Sequence, residues 1–254
     1  MHPTIDLNAD LGEGFGHSRS SEDEALLDLV SSANIACGFH AGDATTMRDT
    51  VRAAASRGVV IGAHPSYPDI PGFGRRELGL SPKEIRFHVS YQLRAFRDVC
   101  AAENAKLSYV KPHGALYNRA AKDSSAAAAI VQAIRDVDPS LVLLGLAGSE
   151  MARAARRSGV AFAGEAFADR AYRGDGSLVP RNEPGAVIHD VQSAVKRAIT
   201  LVRSSTITAH DGATLGVVAQ SLCVHGDNPD ALPMLRELRT QLERSGVRIA
   251  PFAS

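Results

Sequence analysis

The sequence predicts a one-domain α/β fold built on a parallel sheet, either a (β/α) barrel or an open doubly wound sheet. Three observations carry that expectation. Short apolar runs alternate with helical patterns about seven times, the rhythm of strands crossed by helices. The length of 254 residues suits one large α/β domain. Two stretches rich in glycine and proline each follow a predicted strand, where such folds place their functional loops. No linker, repeat or low-complexity tract interrupts residues 1–254.

The predicted strands are Thr4–Leu11, Ala33–Cys37, Val59–Ala63, Leu107–Pro112, Leu141–Leu146, Ala161–Phe167 and Ser221–His225. The clearest helix follows Ser81, an N-cap with Pro82 at the first helical position and Glu84 completing a capping box. Ile85, Val89, Leu93, Phe96 and Cys100 then line one face at helical spacing. Asp43–Ser56, Ser124–Val137, Ser149–Arg157, Asp190–Val202 and Pro229–Arg244 read the same way, several ending at Gly58, Gly159 or Gly246. Loop insertions are expected near 67–80 and 171–184, and a small hairpin near 206–219 turning at Asp211-Gly212.

Composition narrows the function classes. The 28 basic and 28 acidic side chains balance, so there is no electrostatic footprint for nucleic acid or an anionic membrane. No apolar run approaches the roughly 18 residues of a transmembrane helix, and no signal peptide precedes Asp10, so a soluble, cytoplasmic protein is expected. Cys37, Cys100 and Cys223 show no CxxC spacing and read as buried structural residues.

The first strand carries the strongest local clue. Ile5, Leu7, Ala9 and Leu11 alternate with Asp6, Asn8 and Asp10, so one face is apolar and the other polar. A barrel strand covered on both sides should be apolar on both faces, so the polar groups need partners, water or a ligand. The alternative is an exposed edge strand. The anomaly recurs with Asn34 and His40 around the second run, His64 ending the third, and Tyr109, Lys111 and His113 sharing a face of the fourth. Glu165 and Asp169 share a face of the sixth, and His225 and Asp227 end the last.

Carboxylates and imidazoles in a shared pocket suit proton transfer. Lys111, Arg75 and Arg170 suit an anionic substrate, arginine through a two-pronged contact with a carboxylate. Metal binding is the rival reading, because Asp and His are a common ligand set; no HExxH and no pair of histidines at i and i+4 supports it. No GxxxxGK[ST] phosphate loop is present, and Gly12-Glu13-Gly14-Phe15-Gly16 lacks dinucleotide-binding spacing and holds an acid that repels phosphate.

At these same residues the chain resembles the LamB/YcsF family, which supplies the A component of the bacterial ATP-dependent 5-oxoprolinase. The matching stretches are NADLGEGFG from Asn8, SANIACGFHAGD from Ser32, GAHPSYPD from Gly62, GFGRRELGLS from Gly72 and VKPHGALYN from Val110. EAFADRAY from Glu165, GSLVPR from Gly176 and CVHGDNP from Cys223 continue the match across almost the whole chain. The resemblance implies a distorted (β/α) TIM-like barrel of about seven parallel strands, similar to the glycoside hydrolase/deacetylase superfamily. It implies opening of 5-oxo-L-proline to L-glutamate with hydrolysis of ATP to ADP and phosphate, together with partner subunits B and C. ATP with Mg2+ is the expected co-substrate, and the missing phosphate loop points to the partners for binding it.

On that basis Asp10, Glu13 and His64 are expected to transfer protons, with His40 and His113 in support and Lys111 as the stabilising cation. Arg75 or Arg170 is expected to hold the substrate carboxylate, with Asn8, Asn34, Tyr117, Glu165, Asp169, His225 and Asp227 completing the binding site. The metal-binding Asp and paired-His motif of the deacetylases has no counterpart at the expected spacing, so no metal ligand is assigned; scattered ligands stay open. The alternatives are a stand-alone metal-dependent carbohydrate or amide hydrolase and a non-catalytic substrate-binding subunit.

Overall fold

The computed structural model describes residues 3–15, 20–181, 183–224 and 231–254. Its centre is a closed parallel barrel. The strands are β1 (Thr4–Leu11), β2 (Ser32–Ala36), β3 (Val60–His64), β4 (Leu107–Val110), β5 (Val142–Leu146), β6 (Phe162–Phe167) and β9 (Ser221–Cys223). Each pairs with the next, and β9 pairs with both β6 and β1, closing the ring. That closure excludes both the open sheet and the exposed edge strand. Between β6 and β9, β7 (Thr206–Thr208) and β8 (Thr214–Gly216) form the expected antiparallel hairpin. A two-residue strand, β10 (Arg248–Ile249), extends the amino-terminal end of β1.

The helices are α1 (Ser20–Leu27), α2 (Ala44–Ser56), α3 (Pro82–Ala102), α4 (Gly114–Lys122), α5 (Ser124–Val137), α6 (Glu150–Ser158), α7 (Val191–Ser204) and α8 (Ala231–Arg244). Most reflect local signals. Asp43 caps α2 by accepting from the Thr46 backbone N–H at 2.8 Å. Ser81 and Glu84 form the capping box of α3, whose buried Ile85, Val89, Leu93, Phe96 and Cys100 face the core. Each such apolar side chain contributes about 1.5–3 kcal/mol by leaving water. Gly159, with φ of 70°, ends α6 in the left-handed conformation that glycine adopts without strain. Two helices, α1 and α4, lie outside the sequence expectation; α4 begins directly after His113 with no side-chain cap to announce it.

Inside the barrel, the amino-terminal end is filled by Tyr109, Leu144 and Ala163, with Phe252 packed edge-on against Tyr109 at 5.0 Å. The Tyr109 ring occupies the space a side chain at residue 62 would need: a Cβ on Gly62 would lie 2.2 Å from a ring carbon. The apolar residues of β1 pack outward in the main core, so its polar residues face the barrel axis.

Candidate functional site

The polar residues of β1 rise through the barrel in tiers. At the lowest, Asp6 is fully buried and accepts hydrogen bonds from the hydroxyls of Ser31 and Ser32, both at 2.6 Å, and of Ser221. Burial pushes its carboxyl up to about 6, although the three hydroxyls oppose the shift.

The middle tier is saturated. Asn8 donates to Glu165 Oε1 at 3.1 Å and to Ser221 Oγ at 2.7 Å, while its oxygen accepts from Asn34 at 2.7 Å and Lys111 at 3.2 Å. Asn34 also donates to Asp10 Oδ1 at 2.8 Å and accepts from the Tyr109 hydroxyl at 2.7 Å. Lys111 Nζ lies 2.9 Å from Asp10 Oδ1 and 2.8 Å from Glu165 Oε1, and 3.2 Å from Cys223 Sγ. Burial works against the lysine charge, but Asp10 and Glu165 outweigh it and hold the ammonium well above its ordinary range. Tyr117, from α4, donates to Glu165 Oε2 at 2.8 Å.

The upper tier gathers the imidazoles. His64 Nε2 lies 3.4 Å from Asp10 Oδ2 and 3.0 Å from His113 Nδ1. His40 stacks on His113 with ring centroids 3.7 Å apart, and its Nε2 lies 3.1 Å from Glu13 Oε1. Burial holds the pKa of His40 below the ordinary imidazole value and that of His113 far below it. The 67–80 loop closes over these rings. Phe73, at a left-handed φ of 53°, presents its carbonyl oxygen to His113 Nε2 at 2.9 Å. Gly74 passes so close that a Cβ there would meet His40 and His113 at 2.8 and 2.9 Å. Gln92, reaching from α3, fixes the start of this loop by pairing with both backbone groups of Ser66, at 2.9 and 2.8 Å.

Above the tiers opens a cavity of about 420 Å³ at the carboxyl ends of the strands, where barrel sites form. Asp10, Glu13, His64, Lys111, His113 and Tyr117 line it, with Arg75, Arg170 and Arg181 also in its wall. The expected residues therefore divide. Asn8, Asn34 and Glu165 do not reach the cavity; they sit beneath it as supports, so direct substrate contact gives way to a structural part. Arg170 lines the cavity, but its guanidinium donates to the carbonyls of Ala186 at 3.3 Å and Val179 at 2.6 Å, leaving Arg75 as the exposed arginine of the expected pair. Asp169 is fully buried outside the lining. His225 and Asp227 lie outside the described residues. Cys37 and Cys223 are buried thiols whose pKa burial raises, as expected of structural cysteines.

Sequence reasoning missed Gln92, Phe73 and Ser221. A glutamine on the apolar face of α3 was the available signal for the first; nothing local marks the other two.

Fold and site define a seven-stranded (β/α) barrel with an ionisable cluster at its carboxyl-terminal mouth. The sequence model of the LamB/YcsF family matches residues 5–254, and the chain belongs to that family. It is 52% identical over 249 residues to the A component of a 5-oxoprolinase from Bordetella parapertussis, covering 98% of this chain and 99% of that one. Among solved structures, the lactam utilization protein of Thermus thermophilus superposes with a TM-score of 0.92 at 43% identity, covering 98% of this chain and 100% of that one. A family 4 carbohydrate esterase of Streptomyces lividans shares the fold, with a TM-score of 0.51 and 12% identity over 97% of this chain and 91% of that one. Among the described residues no helix is long and apolar enough to cross a membrane.

Proposed function

We propose that this chain is the A component of an ATP-dependent 5-oxoprolinase, working with subunits B and C to open 5-oxo-L-proline to L-glutamate. The relative's name supplies the substrate class; the site supplies the chemistry. The observation that carries the reading is a charged lysine, Lys111, fixed between Asp10 and Glu165 at the floor of a cavity with Arg75 at its wall. That arrangement suits a small cyclic amide bearing a carboxylate.

A lactam carbonyl is a poor electrophile because its nitrogen donates into it. Transfer of the γ-phosphoryl group of ATP to the amide oxygen, releasing ADP, removes that resistance. Water then attacks the ring carbon, the C–N bond breaks with protonation of nitrogen to leave γ-glutamyl phosphate, and a second water hydrolyses that acyl phosphate to glutamate and phosphate. Asp10, oriented by Asn34 and Lys111, takes the proton from the attacking water, and the Lys111 charge stabilises the oxyanion that develops when water attacks the acyl phosphate. Arg75 pairs with the substrate carboxylate. ATP and its Mg2+ are assigned to the partner subunits.

The test is glutamate release from 5-oxoproline and ATP, with this chain alone and with B and C. Activity only in the mixture is expected, and Asp10→Asn should lower it by about 10²–10⁴-fold. Full turnover by a folded Asp10→Asn mixture would remove Asp10 from the chemistry. The clustered imidazoles favour a second reading, a stand-alone hydrolase, which predicts ATP-independent turnover by the chain alone.

A further inference from the structure

The upper tier contains a hydrogen-bonding conflict. His64 Nδ1 lies 2.7 Å from the Lys111 carbonyl oxygen, and His113 Nε2 lies 2.9 Å from the Phe73 carbonyl oxygen. A carbonyl oxygen only accepts, so both of those ring nitrogens carry hydrogen. In neutral imidazoles this leaves His64 Nε2 and His113 Nδ1 as lone pairs, and the two face each other at 3.0 Å with both rings buried. Two lone pairs held that close repel unless a positive centre lies between them. Asp10 Oδ2 at 3.4 Å from the first and Glu13 Oε1 at 3.5 Å from the second add acceptors at the same point.

We infer that this point is a binding site for a single divalent transition-metal ion of the zinc class, held by His64 Nε2, His113 Nδ1 and the Glu13 carboxylate. Donor atoms of Glu13, His40, His64 and His113 all lie within 4.8 Å of one another. A tetrahedral ion with bonds of about 2.0–2.1 Å separates its ligand atoms by roughly 3.3–3.4 Å, and the observed 3.0 and 3.5 Å separations bracket that spacing. A far-side carbonyl on each imidazole is the arrangement that fixes the tautomer of a metal-bound histidine. The strained Phe73 backbone supplies one of those carbonyls. His40, stacked on His113 and bonded to Glu13, orients the carboxylate. Glu13, His64 and His113 line the open cavity, which provides the ion's way in. Two imidazoles with one carboxylate suit zinc and its neighbours over magnesium or calcium. The inference stands on donor geometry and holds whatever the substrate is.

The test uses the full chain, stripped with a chelator and then titrated with Zn2+ or Co2+, with bound metal counted by elemental analysis and Co2+ followed by its visible absorption. About one ion per chain is expected, with the intense bands of a four-coordinate site. His64→Ala and His113→Ala should each lose stoichiometric binding. His88→Ala, whose ring packs beside Phe39 and Phe87, should keep it. Circular dichroism establishes that the variants fold; should either fail, Glu13→Gln is expected to weaken binding by about tenfold or more. The proposal is overturned if the wild-type chain takes up no stoichiometric metal, or if the His64 and His113 variants bind as the wild type does. It is also overturned if nitrogen NMR of metal-treated protein shows a proton shared between His64 Nε2 and His113 Nδ1.

Discussion

Replacing Lys111 with methionine tests the charge balance on which the cavity floor depends. Nζ lies 2.9 Å from Asp10 Oδ1 and 2.8 Å from Glu165 Oε1, and Lys111 is only 2% exposed. At an effective dielectric of about 20, each contact represents roughly 6 kcal/mol of gross attraction. Desolvation of the three groups cancels most of it, so the intact cluster adds little net stability. Removing one member is different, because two buried carboxylates then lack a cation, at a cost of about 3–5 kcal/mol. For a chain of this size that is a fall in Tm of roughly 6–20 °C. The pH dependence has a definite sign. Without the ammonium, the two buried carboxylates lose the cation that compensates them, so their charged forms are disfavoured in the folded chain relative to the unfolded one. Protonation relieves that penalty, so the variant keeps its stability at acid pH and loses it as pH rises. The deficit should be largest near pH ~7 and shrink toward pH ~4. Thermal unfolding of both proteins across that range, followed by circular dichroism, is the assay. Parallel curves displaced by less than about 2 °C would refute the reasoning, since they would mean that the carboxylates do not depend on Lys111. Adding Asp10→Asn and Glu165→Gln should recover much of the loss, because removing a whole buried ion cluster is often nearly neutral.

Three further outcomes follow from the same structure. With the Asp6 carboxyl raised to about 6 by burial, stability should fall by up to about 3 kcal/mol as pH rises from ~4 to ~7, and Asp6→Asn should flatten that part of the curve; an unchanged slope places the titration elsewhere. Gly62→Ala drives a Cβ into the Tyr109 ring and should cost about 1–3 kcal/mol or more in urea unfolding, part of it regained by Tyr109→Leu. Gln92→Leu strips both backbone groups of Ser66 of their partner, at about 1–3 kcal/mol each, and should speed amide exchange across residues 66–74; protection equal to wild type would show that the loop holds itself.

The fold was legible because strand and helix periodicity agree with local capping along most of the chain. Thr4–Leu11 and Ser124–Val137 fall at the same bounds in sequence and structure. The misses have physical causes. The helix α4 starts on Gly114 without a side-chain cap, and β10 is two residues held only by pairing to β1. In the site, the inward polar face of β1 was readable from alternation alone. What alternation does not distinguish is a polar group that is satisfied from one that is not. Asn8, Asn34 and Glu165 look like cavity residues in the sequence, yet their hydrogen bonds are consumed by one another and by Lys111, Tyr109 and Tyr117. The imidazoles were readable as members of one pocket from their places at strand ends, but the contact of His64 with His113 was not, because it is set only when the barrel closes.

That distinction explains where the site lies along the barrel axis. At the lowest tier three hydroxyls answer one carboxylate. In the middle tier every amide atom of Asn8 and the oxygen of Asn34 has a partner, and the ammonium is shared by two carboxylates. These tiers are rigid for that reason, since moving any member strands a buried polar group. In the upper tier the arithmetic stops closing: His64 and His113 turn lone pairs toward each other, and His40 Nδ1 has no partner among the described residues. A ligand gains most where the protein has left polar groups unanswered, and it is held most firmly where those groups stand on a saturated base. The satisfied tiers therefore hold Asp10 and Lys111 rigidly at the cavity floor, and a ligand gains most at the tier above, which protein atoms alone leave incomplete.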